Sequence, residues 1–178
     1  MFTNKTLLTA LNQIAETYNY PVIVSTHPRT RKRLEQHHSS PGINNAEPIP
    51  QNPLIQFHKP LGFIDYNALQ CNASAVLSDS GTISEESSIL NFRALNIREA
   101  HECPEAMEEA SVMMVGLSPG RIMQGLVQLQ QQKTGKERNF RLASDYAMPN
   151  VSDKVVRINL GYTDYVKRVV WGDRIKLE

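Results

Sequence analysis

The segment Ser78–Glu86, which reads SDSGTISEE, combines residue types that suit the binding of an anion. It directly follows the apolar run Ala75–Leu77, so we expect a strand, a tight turn and a helix in that order. Gly81 lets the backbone turn sharply or approach a ligand closely, and the first N–H groups of the following helix carry partial positive charge. A phosphate or diphosphate fits such a site, and Ser80 and Thr82 would add hydroxyl donors.

Glu86 extends this site from an anion to a nucleotide. It lies about one turn into the predicted helix. A carboxylate there can accept hydrogen bonds from both vicinal hydroxyls of a ribose. The segment therefore predicts a diphosphate on the turn and a ribose on Glu86.

A purely structural interpretation of the same residues stays open at this point. Thr82 and Glu85 have the spacing of a capping box, in which the two side chains satisfy the first N–H groups of the helix. Glu86 would then be solvated. The chain contains neither GxGxxG nor GxxxxGK[ST], so a dinucleotide fold or a P-loop enzyme has no positive support.

Composition limits the other possibilities. The chain has 178 residues, of which 40% are hydrophobic, and this length suits one compact unit. Its 19 Lys and Arg balance 18 Asp and Glu, so we expect no nucleic acid and no membrane as partner. No apolar run approaches the roughly 20 residues of a membrane span, and the N-terminus does not resemble a signal peptide. We expect a cytoplasmic protein without cofactor or metal, since its two cysteines lack metal-ligand spacing.

Helical and extended patterns alternate along the chain, which predicts an α/β fold with a mostly parallel sheet and helices on both faces. The predicted helices are centred on Leu7–Ala15, Thr30–Gln36, Phe63–Gln70, Thr82–Asn91, a short segment opening at Pro104, and a segment that begins at Ser118-Pro119 with serine as N-cap. The predicted strands lie in YPVIVSTHP, LIQFHKP, Ser74–Leu77, RALNI and ASVMMVG. Sheets of this kind bind ligands at the carboxyl ends of their strands, where the SDSGT turn is expected.

Several segments, taken in order, resemble the non-hydrolysing UDP-N-acetylglucosamine 2-epimerases. They are LSDSGTISEE, the following NFRALNIREAHECPEAMEEASVMMVG, and the earlier YPVIVSTHPRT and PLGFIDYNALQ. The resemblance implies a three-layer Rossmann-like domain, the C-terminal half of a glycosyltransferase-B-type enzyme. It further implies a UDP-binding domain over residues 1–143 and a C-terminal extension with a crossing helix over 144–178.

The resemblance also assigns roles to individual residues. Ser80 and Gly81 match the positions that hold the UDP phosphates, and Glu86 matches the carboxylate on the uridine ribose. Tyr66 falls at the aromatic position beside the uracil. His27 and Arg98 follow matching strands and would face the same crevice. No residue of this chain is assigned a catalytic role.

Two positions depart from the family pattern. Thr82 stands where a second glycine is usual, which narrows the space for a phosphate but adds a hydroxyl. Cys103 stands where Arg is usual, which removes a cation that would face the diphosphate. We expect this second change to weaken binding.

The resemblance implies C2 epimerisation of a UDP-N-acetylhexosamine by elimination and re-addition of UDP. We expect the acid and base carboxylates in an N-terminal domain upstream of Met1, so this chain alone would be the inactive nucleotide-binding half. The segments EAHECPEAMEEASVMM and VSDKVVRINLGYTDYVKRVVW favour the capsule and O-antigen branch with fucosamine-pathway sugars. A glycosyltransferase of the same architecture and a non-catalytic nucleotide-binding or interaction module stay open as alternatives.

The C-terminal segment Ser152–Trp171 has apolar residues at helical spacing. We predict an N-cap at Ser152-Asp153 and an interruption at Gly161. If no other domain covers this apolar face, we expect it to fold onto the chain's own body or to associate with a second copy.

Overall fold

The computed structural model describes residues 4–26, 52–100 and 103–172. Among these residues the helices are α1 (Asn4–Tyr18), α2 (Phe63–Asn72), α3 (Ile83–Leu90), α4 (Pro104–Glu108), α5 (Pro119–Leu129), α6 (Val151–Val169) and a 3₁₀ turn (Ser144–Ala147). The strands are β1 (Val22–Ser25), β2 (Ile55–His58), β3 (Val76–Ser78), β4 (Ala94–Asn96) and β5 (Met113–Met114). The predicted helix Thr30–Gln36 lies outside the described residues.

The described strands pair in parallel and form two ladders. β1 pairs with β2, with Val22 opposite Ile55. β4 lies between β3 and β5, so that Leu95 faces both Leu77 and Met113 in register. Because the strands of each ladder are parallel, their carboxyl ends lie at the same edge, and the turn after β3 starts from that edge.

The core is built around β4, whose three residues are all buried. One side of the core joins α1 and α5 to this strand, and α3 also contacts β4. The buried members of the central cluster are Ala10, Leu95, Ile97, Ile122, Leu126 and Leu129. Helices thus cover the central strand, and burial of these apolar side chains supplies the main stabilisation of the fold.

The carboxyl end of α3 is tied to the loop that follows α5. The guanidinium of Arg138 donates to the carbonyl oxygens of Ser88 at 2.6 Å and Ile89 at 2.7 Å. Asn91, which ends the helix with a left-handed φ of 53°, donates through Nδ2 to the carbonyl of Gly135 at 3.0 Å. Carbonyl groups that the short helix leaves unpaired therefore have donors.

Contacts divide the chain into two compact units, Met1–Ala143 and Ser144–Glu178. In the second unit α6 begins at least two residues earlier than predicted, because Asn150 and not Ser152 occupies the N-cap position. Gly161 interrupts the apolar run of this segment, and the helix itself continues through this residue.

Packing within α6 explains the continuous helix. Apolar residues keep spacings of three and four across the glycine, and the rings of Tyr162 and Tyr165 meet edge to face with centroids 6.1 Å apart. Asp153 near the start and Lys167 near the end complement the helix dipole. The association of this helix with another surface stays a prediction.

Gly125 provides a test of the packing between α5 and the sheet. A Cβ at this position would lie 2.9 Å from Cδ2 of the fully buried Leu95 and 3.2 Å from Cγ1 of Val115. We expect Gly125→Ala to lower the free energy of unfolding by about 1 kcal/mol, because overpacking outweighs the gain in helix propensity. Urea denaturation measures this difference.

Gly120→Ala is the matched control, because Gly120 lies in the same helix and its added Cβ would meet nothing within 4 Å. This variant should be as stable as the parent or more stable. Equal stabilisation by both substitutions would contradict the close packing of α5 on β4.

Candidate functional site

The turn between β3 and α3 is held by serine hydroxyls. The N–H of Ser80 donates to Oγ of Ser78 at 3.1 Å, and the N–H of Thr82 donates to Oγ of Ser80 at 3.3 Å. Ser78 is the last residue of β3 and pairs with Asn96, the last residue of β4. The turn therefore begins at the carboxyl edge of the sheet. The sequence prediction of a strand, a serine-glycine turn and a helix is confirmed, with the strand shifted from Ser74–Leu77 to Val76–Ser78.

Two backbone donors at this turn remain available. Among the described residues, no acceptor lies within hydrogen-bond range of the N–H groups of Gly81 and Ile83. Both lie at the amino end of α3, where the helix dipole adds partial positive charge. The arrangement can therefore donate hydrogen bonds to an anion.

The Glu86 carboxylate is held by two neighbours. Its Oε2 accepts a hydrogen bond from Nε2 of Gln70 at 2.7 Å, and its Oε1 accepts one from the hydroxyl of Thr82 at 2.9 Å. The Thr82 hydroxyl also lies 2.9 Å from Oγ of Ser80. Four side chains, from Ser80 to Gln70, thus form one hydrogen-bonded chain, which we call the Glu86 network.

This network rules out the capping-box interpretation. Thr82 occupies the N-cap position of α3, but its side chain makes no capping hydrogen bond and turns to Glu86 instead. Glu86 is half-buried and not fully solvated. Ser118 occupies the N-cap of α5 as predicted, although its side chain likewise makes no capping hydrogen bond.

Tyr66 lies beside the network. It is half-buried on α2, four residues before Gln70, so both side chains share one face of that helix. Burial raises the pKa of the Tyr66 phenol above its usual value near 10, and the charges of Glu86 and Asp79 raise this pKa further. Tyr66 is therefore close enough to both carboxylates to feel their charge.

Gln70 is the residue of this site that the sequence analysis missed. The signal available in the sequence was a polar side chain one helical turn after Tyr66, and the structure shows that this side chain is buried. Its partner Glu86 is distant in the chain and belongs to another helix, so helical spacing alone does not pair them.

The remaining predicted site residues lie around the same edge or outside the described residues. Arg98 is half-buried and follows β4, and its N–H donates to Oδ1 of Asn96 at 2.9 Å. Cys103 is half-buried at the N-cap position of α4. His27 lies outside the described residues, and the last described residue before it, Thr26, follows the carboxyl end of β1.

Arg93 and the residues that follow α5 line a separate surface depression of about 460 Å³. Arg93, which precedes β4, lines it and donates to the carbonyls of Gln132 at 3.0 Å and Gln130 at 3.2 Å. These bonds satisfy carbonyl groups after the end of α5, so this side chain has a structural role. The depression and the turn lie at opposite ends of the parallel strands.

Residues 4–26, 52–100 and 103–172 contain neither a metal site nor a membrane-spanning helix. In these segments no three His, Cys, Asp or Glu side chains are arranged to hold a metal ion. None of the helices described there combines the length and apolar character needed to cross a lipid bilayer.

Comparisons with solved structures define the class of protein. The structure of UDP-N-acetylglucosamine 2-epimerase from Rickettsia bellii matches with a TM-score of 0.79 and 42% identity, over 95% of this chain and 44% of that one. The Methanocaldococcus jannaschii epimerase in complex with UDP-N-acetylglucosamine and UDP matches with a TM-score of 0.71 and 28% identity, over 89% of this chain and 40% of that one. The predicted fold class, a Rossmann-like α/β domain of a glycosyltransferase-B-type epimerase, is confirmed.

Sequence comparison identifies the family. The family described as UDP-N-acetylglucosamine 2-epimerase matches residues 3–159, so the chain belongs to this family. The UDP-N-acetylglucosamine 2-epimerase of Methanococcus maripaludis is 33% identical over 117 residues, which cover 66% of this chain and 30% of the relative. The chain thus spans less than half the length of these relatives.

The raised pKa of Tyr66 gives a pH-dependent prediction. Because the phenol is harder to ionise in the folded than in the unfolded protein, its contribution to stability is complete below pH about 10 and is lost as the pH rises through the folded pKa. We expect Tyr66→Phe to remove this part of the alkaline destabilisation. Denaturant unfolding at increasing pH measures it.

Difference titration of tyrosinate absorbance, parent minus Tyr66→Phe, locates the pKa itself. Glu86→Gln should lower it by removing one of the two negative charges. Glu85→Gln, on the exposed side of the same helix, removes an equal charge and is the control. Equal shifts from both variants would contradict the proximity of Tyr66 and Glu86.

Proposed function

We propose that this chain is the UDP-binding part of an epimerase that inverts C2 of a UDP-N-acetylhexosamine. The observation that carries the proposal is the Glu86 network beside two available N–H groups at the start of α3. Family membership and the UDP complex of the Methanocaldococcus jannaschii relative support it.

In this proposal the turn binds the diphosphate. The N–H groups of Gly81 and Ile83 donate to phosphate oxygens, and the hydroxyl of Ser80 rotates from its hydrogen bond with Thr82 to donate as well. The α3 dipole favours the negative charge of the phosphates. Thr82 contributes mainly through Glu86, because its hydroxyl is already hydrogen-bonded to that carboxylate. Arg98 and His27 are proposed to line the crevice, and Cys103 to leave the diphosphate with one cation fewer.

Glu86 and Tyr66 bind the nucleoside. A carboxylate offers about four acceptor sites, and the network uses one on each oxygen. One acceptor site per oxygen remains for the two ribose hydroxyls. The half-buried ring of Tyr66, on the neighbouring helix, offers an aromatic surface for the uracil.

The reaction of the family, as the resemblance implies, separates two tasks. A base removes the C2 proton while the bond from C1 to the UDP oxygen breaks and UDP leaves with the electron pair, which gives an acetamidoglycal. A proton then returns to the opposite face of C2, and UDP adds again at C1. This chain would stabilise the charge of the departing diphosphate, and the acid and base groups are proposed to lie in a further domain.

The finer assignments of biological role are also proposals. The motifs of the α4 region and the tail support the capsule and O-antigen branch of the family. In that branch the substrate would be a UDP-linked N-acetylhexosamine other than UDP-N-acetylglucosamine, which is the alternative substrate. A nucleotide-sugar substrate is consistent with a cytoplasmic location. A homo-oligomer, or a preceding domain, would complete the active site. Membership of the epimerase family weighs against the glycosyltransferase alternative.

Calorimetry with UDP tests the nucleotide site. We expect Glu86→Ala and Ser80→Ala to weaken UDP binding on the order of tenfold, because each removes a hydrogen bond to or from a charged group. Glu85→Ala is the matched control, since Glu85 is adjacent and exposed. If UDP binds equally well to all four proteins, the assignment of the turn and Glu86 is wrong.

A hydrogen-exchange assay tests the division of the active site. We expect no deuterium at C2 of UDP-N-acetylglucosamine when this chain alone is incubated with it in heavy water, because the C2 acid and base groups are proposed to be elsewhere. A full-length relative of the family serves as positive control. Uptake by a preparation free of other epimerases would place those groups within this chain.

A further inference from the structure

We infer that Gln70 is a positioning residue, which fixes the carboxylate of Glu86 in the orientation that accepts the two ribose hydroxyls. The inference rests on the proposed function, because it concerns how the nucleotide site is organised. It adds a second residue of α2, next to Tyr66, to the proposed nucleotide site.

The contact between Gln70 and Glu86 is short and partly buried. Gln70 is 3% exposed, and its Nε2 lies 2.7 Å from Oε2 of Glu86. Hydrogen bonds of this kind, with a charged acceptor, are stronger than those between neutral groups. In a site shielded from water they also meet less competition.

The orientation of the Gln70 amide follows from its partner. With the amide reversed, Oε1 would lie against Oε2 of Glu86, and two acceptors would face each other without a proton. The observed orientation leaves Oε1 of Gln70 buried with no hydrogen-bond partner in the described part of the chain. An apolar side chain would avoid this unfavourable burial, so the contribution of Gln70 is to Glu86 and not to the packing of α2.

The two neighbours of Glu86 act on different oxygens. Thr82 holds Oε1 from the turn, and Gln70 holds Oε2 from α2. The terminal torsion of a glutamate is broad when unconstrained, so a single hydrogen bond leaves the carboxylate free to rotate. Two fixed donors define its plane, and a ligand diol then binds without a further loss of rotational freedom.

Helix α2 also connects the Glu86 carboxylate to the proposed uracil site. Tyr66 and Gln70 lie one turn apart on α2, so the ring and the amide keep a fixed separation. The uracil, through Tyr66, and the ribose, through Gln70 and Glu86, would consequently be positioned by α2.

The test compares UDP with 2′,3′-dideoxy-UDP by calorimetry on the full chain. We expect the parent to prefer UDP, and Gln70→Met to reduce UDP affinity about tenfold while changing affinity for the dideoxy ligand less than about twofold. Gln70→Met should lower the unfolding temperature only slightly, since loss of the hydrogen bond to Glu86 is offset by removal of the buried, unpaired Oε1. Gln128→Met, an exposed glutamine in α5, is the control and should match the parent.

A double-mutant cycle separates positioning from packing. In the Glu86→Gln background, Gln70→Met should cause no further loss of preference for UDP. Gln70→Leu replaces Gln70→Met throughout if the latter does not fold. Equal losses for both ligands, or a parental preference in the Gln70 variants, would overturn the inference while leaving the proposed function in place.

Failure of the proposed function has a different signature. If the parent does not prefer UDP over the dideoxy ligand, or if Glu86→Gln keeps the parental preference, then Glu86 does not bind the ribose. That outcome overturns both the proposed function at this residue and the role of Gln70.

Discussion

The burial of β4 is the constraint on which the rest of this structure depends. Its three residues are buried, and its parallel pairing with β3 and β5 fixes where the carboxyl ends of these strands lie. Gly125 allows α5 to pack against Leu95 at a distance that a larger residue would not permit. With this strand fixed, Ile97 donates its N–H to the carbonyl of Ser78 at 3.0 Å, which holds the start of the turn.

A second constraint acts at the site itself, where a half-buried carboxylate needs donors. Glu86 obtains them from Gln70 and Thr82, which belong to different elements. A negative charge that leaves water is stabilised only when hydrogen bonds replace its hydration. The relative placement of α2 and α3 therefore depends on a polar contact as well as on the apolar core.

Local sequence was enough to predict much of this molecule. Gly81 and Glu86 are close in the chain, so strand, turn and helix could be read from adjacent residues. Gln70 could not be found in this way, because its partner is reached only through tertiary packing. The capping box failed for a related reason, since the Thr82 hydroxyl had two possible partners and the spacing of residues could not decide between them. At Gly161 the continuous apolar pattern of the helix outweighed the low helix propensity of one residue.

The attachment of α3 at its far end has a consequence for its response to ionic strength. The guanidinium of Arg138 makes short contacts with the carbonyls of Ser88 and Ile89, and the contact with Ser88 is partly shielded from solvent. Salt weakens attraction between an anion and an exposed helix terminus, but it acts less on such shielded contacts. High salt would thus weaken the binding of an anionic ligand at the start of α3 without releasing the other end of the helix from Arg138. A loss of affinity at high salt would then report on electrostatics and not on unfolding.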